Sequence, residues 1–583
     1  MKKDSFISGA YALAFILRKE KVRYVYAYPG TSELAICNEI LKVRGIRLIN
    51  GRGDKESAFM AAGGSLLRAS HAVAVLHGAR GLTNAVGALA DARRNEIGTV
   101  YFVGLPSTTS AQFLPPHGEP NLISGVGNFA KYHDEITEQN PVTYIEKVRN
   151  AIAQSRCLPY GPVILGIPQD MAEKEWIPRS MLTKYKRIEK KRRFFISKIN
   201  EAISYIDKAN KIVIFLDDFI YKQVGIKKAI AKFAEKVNAP IFQVFYARGP
   251  MLFERTSVKE NPYFLGCYRP DNLVHKSIMA DTDLLITLED RNMYSRVVGE
   301  LPKVKKIAIT SHRLMTLKNK YLMKGDLVLE GNVLNYLRYI QNKMKEKGKK
   351  KNFESFCRNI RATVSEDIKL KWNYSLMRKA IIRELSNILK KVKQPVLIDD
   401  SQMFGGMIAL HYEELPANLR VFGDHGAFIG GGLSYATGLA QCEEKTHVFN
   451  TLGDQSFTNG LQGLVASVQE KTPIIYLVCN NGKSVSLFKQ ALYQDNKAFD
   501  KGKNIFLYNA PYEYTKLAES LGIIAYKISF LESNQTAIKK SSEKFRFALH
   551  QALVKKRPVL IELVLPSDFE AWKGIWAIKG NEK

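Results

Sequence analysis

None of the six cysteines is paired as CxxC, and none stands with histidines at the spacing of a zinc site. Cys37, Cys157, Cys267, Cys357, Cys442 and Cys479 therefore read as reduced, mostly buried thiols, which fits a cytoplasmic protein. Long apolar runs are missing too. No stretch approaches the roughly 20 apolar residues that span a bilayer, so no membrane partner is expected. The start, MKKDSFISGAYALAFILRKEKV, has the look of a leader. Yet Asp4 interrupts it, and its apolar part runs into RKEK with no small-residue cleavage site. An amphipathic first helix is expected there. Negative charge is scarce: 56 Asp and Glu against 87 Lys and Arg leave a formal charge of +31. No RNP, zinc-finger or helix-turn-helix pattern accompanies that excess, so specific nucleic-acid binding is not expected. A well-placed GxGxxG is also missing, which weighs against a nucleotide-binding oxidoreductase. No short-period repeat is found.

A chain of 583 residues, 46% hydrophobic and 25% charged, has the ordinary composition of a globular protein. Its length suggests about three or four domains of roughly 150 residues. Two lysine-rich stretches, TKYKRIEKKRR (183–193) and NKMKEKGKKK (342–351), read as solvated linkers. They divide the chain into 1–182, 194–341 and 353–583. Each part alternates short apolar runs with helical patterns. RYVYAYPG, AVAVLHG, GTVYFVGLP and PVILGIP are the expected strands of the first part. KIVIFLDD, APIFQVF, DLLITLED and KKIAIT belong to the second, and PVLIDD, THVFNTLGD, TPIIYLVCNN and RPVLIELVLP to the third. Strand–helix alternation of this kind implies parallel sheets. The predicted fold is α/β, with three consecutive doubly wound parallel-sheet domains.

The stretch Thr451–Ser484 carries the most chemistry. THVFNTLGD is a buried strand ending in Gly453-Asp454. GLQGLVASVQEK has apolar Leu461, Leu464, Val465 and Val468 at helical spacing. TPIIYLVCNN is the next strand. Asp454 and Asn481 are thereby delivered to one carboxyl edge, where open α/β sheets bind ligands. A carboxylate, an amide oxygen and a nearby carbonyl suit a hard cation such as Mg²⁺. The helix turn after Gly453 offers N–H groups to a phosphate. The bland alternative is a turn aspartate and a strand-end asparagine pair.

The GD…NN pattern resembles the cofactor motif of thiamine-diphosphate enzymes, which begins with GDG and closes with NN. The resemblance implies metal ligation by Asp454, Asn481 and the carbonyl of Lys483, with Gly453, Gln455 and Ser456 around the diphosphate. Gln455 replaces the usual third glycine. RGDKESAFMAAGGSLLRAS (52–70) resembles the family stretch that carries the carboxylate for N1′ of the aminopyrimidine. This implies Glu56 in that role, with Lys55 where His is common. FGDHGAFIGGGLSYATGLA (422–440) resembles the segment that bends the cofactor. It implies Ile429 as the wedge between the rings and the carbonyl of Ala427 as acceptor for the 4′-amino group.

Taken together the motifs resemble the decarboxylase/acetolactate-synthase superfamily, with pyrimidine-binding, central and diphosphate-binding domains. AYPGTSEL (27–34) and VLHGARGLTNAVGALADA (75–92) are most similar to benzoylformate decarboxylase, which implies Thr31 and His77 at the substrate. His117, within FLPPHGEP, is a further substrate-site candidate. Structural hydrogen bonding is the alternative for each His. The second His that benzoylformate decarboxylases draw from farther along the chain has no counterpart placed here. The Glu that pyruvate decarboxylases carry shortly after NN is absent from NNGKSVSLFK. The implied activity is thiamine-diphosphate-dependent decarboxylation of a 2-oxo acid, with the resulting enamine protonated or added to a second carbonyl. Acetolactate-synthase-like ligation and a catalytically silent cofactor-binding protein are the alternatives. FAD is left open for the central domain. The implied assembly is a homodimer or homotetramer with the active site at the subunit interface.

Overall fold

The computed structural model describes residues 5–110, 115–183, 185–186, 196–244, 256–344, 352–371, 375–423, 428–493 and 512–575. Its first helix, Gly9–Lys19, is capped by the Ser8 hydroxyl, which accepts from the Tyr11 N–H. Strand β1 (Phe6–Ser8) precedes it and pairs antiparallel with β8 (Glu175–Pro178), closing the first part of the chain on itself.

Three six-stranded parallel sheets follow one another along the chain. The first contains β2 (Tyr24–Ala27), β3 (Arg47–Asn50), β4 (Ala72–His77), β5 (Val100–Leu105), β6 (Tyr132–Glu135) and β7 (Val163–Pro168), in the order β3-β2-β4-β5-β7-β6. The second contains β9 (Ile212–Leu216), β10 (Ile241–Gln243), β11 (Phe264–Cys267), β12 (Leu284–Leu288), β13 (Lys305–Thr310) and β14 (Leu327–Glu330), in the order β11-β10-β9-β12-β13-β14. The third contains β15 (Pro395–Asp400), β16 (Arg420–Gly423), β17 (His447–Gly453), β18 (Ile474–Asn480), β19 (Ile524–Ser529) and β20 (Val559–Val564), in the order β16-β15-β17-β18-β20-β19.

Each sheet is doubly wound, and strand order reverses at β2/β4, β9/β12 and β15/β17, inside the sheet. Ligands of open α/β sheets bind in the crevice beyond the carboxyl ends of such a strand pair. The twelve apolar runs read from the sequence are the four inner strands of each sheet. All six edge strands are additional to them.

The first and third sheets are joined by two crossing helices, Asp54–Gly64 and Gly432–Cys442. They meet backbone to backbone. A Cβ on Gly438 would lie 2.0 Å from the Met60 carbonyl oxygen, and one on Gly63 would lie 2.2 Å from that of Tyr435. Only glycine permits this approach. Around the crossing, the Tyr435 hydroxyl donates to Asp91 (2.5 Å) and the Tyr26 hydroxyl to Gln441 (2.9 Å). Among the described residues no helix is long and apolar enough to cross a membrane.

Candidate active site

In the third sheet, Gly453 of β17 pairs with Cys479 of β18, so Asp454 and the Asn480–Asn481 turn leave the sheet at the same height. The two turns are tied together. Asp454 accepts from the N–H of Gln455 (2.8 Å) and from that of Gly482 (3.1 Å), and Ser484 Oγ donates to Gln455 Oε1 (3.3 Å). Gly482 has φ +71°, a left-handed conformation that favours glycine. Gly453, Asp454, Gln455, Ser456, Asn481, Lys483 and Ile429 all line one cleft.

The stretch after Gly453 differs in detail from the sequence expectation. A short helix, Asp454–Asn459, precedes the helix Leu461–Gln469, with Gly460 between them. One N–H of that turn, that of Gln455, is already taken by the carboxylate of Asp454, the first residue of the helix.

The opposite wall of the cleft comes from the end of β15, which sequence reasoning treated only as a strand. Asp400 accepts from the N–H groups of Gly430 (2.9 Å) and Gly432 (3.1 Å) and from Ser456 Oγ (2.9 Å). It therefore fixes the glycine turn that carries Ile429 against the turn that carries Asp454. Gln402 holds φ +49°, unusual for a non-glycine residue, and accepts from Ser486 Oγ at 2.8 Å. The DD that ends PVLIDD, at the same carboxyl edge as Asp454, was the available signal. Ile429 is 41% exposed, open enough to meet a ligand. Ala427 lies outside the described residues.

These donors fit a diphosphate-bound divalent ion. One carboxylate with an amide and a carbonyl is too few for an all-protein cage, and Mg²⁺ takes one or two carboxylates plus phosphate oxygens and water. Among the described residues no three His, Cys, Asp or Glu side chains gather around a metal position. A Cβ on Gly453 would meet nothing nearer than 3.7 Å, so the missing side chain leaves room in the cleft.

Glu56 lies in the first turn of the helix Asp54–Gly64 and is 4% exposed. Its Oε1 has no hydrogen-bond partner, although the Lys55 ammonium is 3.2 Å away. A buried carboxylate oxygen without a hydrogen bond is costly unless something else supplies one. Lys55 Nζ donates to the carbonyl of Asn459 (3.3 Å). A Cβ on Gly430 would lie 2.7 Å from the Asn459 Cβ. The start of the Glu56 helix thus approaches the Ile429 turn within one chain, and Phe59 packs on Phe428 at 5.0 Å between ring centroids.

At the crevice of the first sheet, beyond β2 and β4, the structure gathers His77, His117, Glu33, Ser32 and Asp54. His77 Nδ1 lies 2.9 Å from Glu33 Oε2, and its backbone N–H donates to Asp54 Oδ1 (2.9 Å). The rings of His77 and His117 stack 5.5 Å apart. The hydrogen bond that His77 donates to Glu33 pushes His77 above its ordinary pKa, whereas burial and the neighbouring His77 charge hold His117 below it. Burial raises Asp54 to about 6. Thr31 is exposed at the start of this turn; the hydroxyl that touches His77 is that of Ser32, at 3.3 Å. Glu33 and Ser32, inside PGTSEL, were passed over because nothing in the sequence pairs them with a residue 44 positions away.

The crevice of the middle sheet is different. Beyond β9 and β12 stand Asp217, Asp218, Glu289, Asp290 and Arg291, all buried. Asp217 accepts from the N–H of Asn292 (2.6 Å) and of Asp218 (2.7 Å). Arg291 pairs with Glu96 (2.7 Å) and Glu289 (2.8 Å). A dinucleotide diphosphate needs N–H donors turned outward. Here they are spent on internal carboxylates, so these residues do not fit FAD.

Residues 7–127 match the family "Thiamine pyrophosphate enzyme, N-terminal TPP binding domain", and residues 406–563 match "Thiamine pyrophosphate enzyme, C-terminal TPP binding domain". The acetolactate synthase large subunit of Buchnera aphidicola subsp. Schizaphis graminum is 22% identical, over 92% of this chain and 93% of its own. Benzoylformate decarboxylase from Polynucleobacter necessarius has the same fold, with TM-score 0.75 at 19% identity, covering 96% of this chain and 99% of that one. The Rhodococcus jostii RHA1 thiamine diphosphate-dependent 4-hydroxybenzoylformate decarboxylase gives 0.73 at 17%, covering 96% and 100%.

Proposed function

We propose, from the premise that this chain belongs to the thiamine-diphosphate-dependent enzyme superfamily, that it decarboxylates a small 2-oxo acid and releases the product after protonation or after ligation to a second carbonyl compound. The observation that carries the reading is the convergence of the Asp454 and Asn481–Lys483 turns on one cleft at the strand-order reversal of the third sheet.

In this reading Asp454, the Asn481 amide oxygen and the Lys483 carbonyl hold Mg²⁺ or a similar ion. Gly453, Gln455 and Ser456 line the diphosphate. The Glu56 carboxyl holds N1′ of the aminopyrimidine through the oxygen that has no hydrogen bond within the chain. Ile429 is the wedge between the two rings, and the Ala427 carbonyl is the acceptor for the 4′-amino group. Bound there, thiamine diphosphate supplies a nucleophilic carbon that also takes up the electrons released with CO₂. His77, kept protonated to higher pH by Glu33, delivers a proton to the reacting centre. His117, held neutral by burial and by His77, accepts hydrogen bonds from the substrate, with Thr31 at the rim.

Incubating the Mg²⁺- and thiamine-diphosphate-loaded protein with a panel of 2-oxo acids, with and without aldehydes, tests the proposal. Release of CO₂ with aldehyde or hydroxyketone products is expected. Cofactor binding without CO₂ release from any member of the panel would return the catalytically silent cofactor-binding protein. The resemblance implies a homodimer or homotetramer whose active site is shared between subunits, while within one chain the Glu56 helix already approaches the Ile429 turn. Mixed Glu56→Gln and Asp454→Ala subunits then recover activity, and no recovery would mean that each chain completes its own site. Cytoplasmic residence belongs to the same reading and agrees with six unpaired cysteines, five of them buried. The described residues at the crevice of the middle sheet do not fit a flavin, so the purified protein is expected to be colourless.

A further inference from the structure

We propose that Glu33 is a positioning residue: it orients the His77 imidazole and keeps its proton on Nδ1, so that Nε2 is the nitrogen presented to the substrate. The inference rests on the reading of His77 as a substrate-facing acid, and it adds a residue that the cofactor motifs do not contain.

Glu33 is fully buried in the short turn Thr31–Glu33. Its two carboxylate oxygens are both engaged. Oε2 accepts from the Gly30 N–H (2.9 Å) and faces His77 Nδ1 (2.9 Å), and Oε1 accepts from Ser32 Oγ. An ionised carboxylate can only accept, so Nδ1 must carry the hydrogen. The other ring nitrogen is then free to act on a ligand, and whether it gives or takes a proton is governed by the carboxylate behind it.

Two glycines make room for the pair. A Cβ on Gly30 would lie 2.3 Å from His77 Nδ1 and Cε1, and a Cβ on Gly104 would lie 2.0 Å from Glu33 Oε1. The backbone of His77 is held separately by Asp54 Oδ1. The imidazole is therefore fixed at main chain and side chain by two different carboxylates, while His117 covers one face of the ring. The ionisable groups that face it are Glu33 on the first turn, Asp54 on the helix start after β3, and His117 on the segment after β5. Cys37, whose thiol burial pushes up to about 12, lies near Glu33 and stays neutral. The surroundings of the ring thus favour the imidazolium, with the Glu33 bond as the largest contribution. A merely structural ion pair would not need its histidine to remain 26% exposed beside the crevice.

The first test uses ¹⁵N-histidine-labelled wild-type protein without cofactor, with the His77 signals assigned by their loss in His77→Asn. The Nδ1–H tautomer and titration above the ordinary value of about 6.5 are expected. An Nε2–H tautomer, or titration at or below that value, would overturn the assignment even if no Glu33 variant folds. The second test is kinetic. Glu33→Gln should lower turnover on the order of 10²-fold, the lower end of a general-acid contribution. It should also move the alkaline limb of the pH profile to lower pH, leave thiamine-diphosphate affinity unchanged, and cost nothing more in a His77→Asn background. An unshifted pH limb or a full additional loss in that background would refute it. Should no 2-oxo acid turn over, the NMR arm still decides the Glu33 assignment, and the proposed reaction alone falls.

Discussion

Replacing Glu56 by glutamine isolates one oxygen of one side chain. The substitution keeps volume and shape in a site that is 4% exposed, so packing around Phe59 and the helix crossing is unaffected. No hydrogen bond within the chain is lost at Oε1, because none is made there. What disappears is the charge of a buried carboxylate beside Lys55, whose own side chain is 29% exposed and stays solvated, so the lost attraction is offset by the desolvation that the neutral amide no longer suffers. Folding should therefore change little. Catalysis should change far more. An amide cannot exchange a proton with N1′, and acid–base contributions of this kind amount to about 10²–10⁴-fold, or about 2.7–5.4 kcal/mol at roughly 1.36 kcal/mol per decade. Calorimetry of thiamine diphosphate with Mg²⁺, a melting curve, and exchange of the cofactor's C2 proton followed by NMR separate these effects on one preparation. Near-wild-type affinity, a near-wild-type melting temperature and exchange slowed by two or more decades are expected. Wild-type exchange would refute the role of Glu56. A large loss of stability with no loss of exchange per folded molecule would make it a structural partner of Lys55.

Asp454→Ala removes the only carboxylate of the proposed ion site and the acceptor for two backbone N–H groups, so metal-dependent cofactor binding should vanish in calorimetry; retained affinity would sink the site. Asp54 has its folded pKa raised to about 6 by burial, so its contribution to stability is full below the ordinary carboxyl range and is lost as pH rises through about 6. Asp54→Asn keeps an acceptor for the His77 N–H and should gain stability relative to wild type on melting curves as pH rises from about 4 to about 6, with no further gain at higher pH; a difference that does not vary with pH would contradict the assignment. Gly438→Ala would push a methyl group to 2.0 Å from the Met60 carbonyl, a backbone atom that cannot swing aside. Overpacking of this kind costs about 1–3 kcal/mol, read as a lower melting temperature, and an unchanged melting temperature would mean that the two helices are not locked as described.

The twelve inner strands were legible in the sequence for a simple reason. A strand covered on both faces is apolar at nearly every position, as in VILGIP, IVIFL and VLIELV. The six edge strands were not, since they are short or interrupted by polar residues. RLIN, YHDE and IAYKIS carry charged or polar residues that look like loop, and only the register of a neighbouring strand makes them part of a sheet. Asp454 and Asn481 were legible for a related reason. Each ends an inner strand, and parallel strands leave a sheet along one edge, so their neighbourhood follows from order alone.

Glu33 with His77, and Asp400 with the 430–432 turn, could not be read that way. Nothing local in PGTSEL or PVLIDD states which distant side chain or backbone will come within hydrogen-bonding reach. That was decided when strand order reversed between β2 and β4 and between β15 and β17, bringing segments remote in the chain to opposite lips of one crevice. The placement of the Glu56 helix was likewise settled by tertiary packing. Two helices 378 residues apart at Met60 and Gly438 cross where glycines let backbone touch backbone, and that crossing, more than any motif, sets where the Glu56 carboxylate ends up.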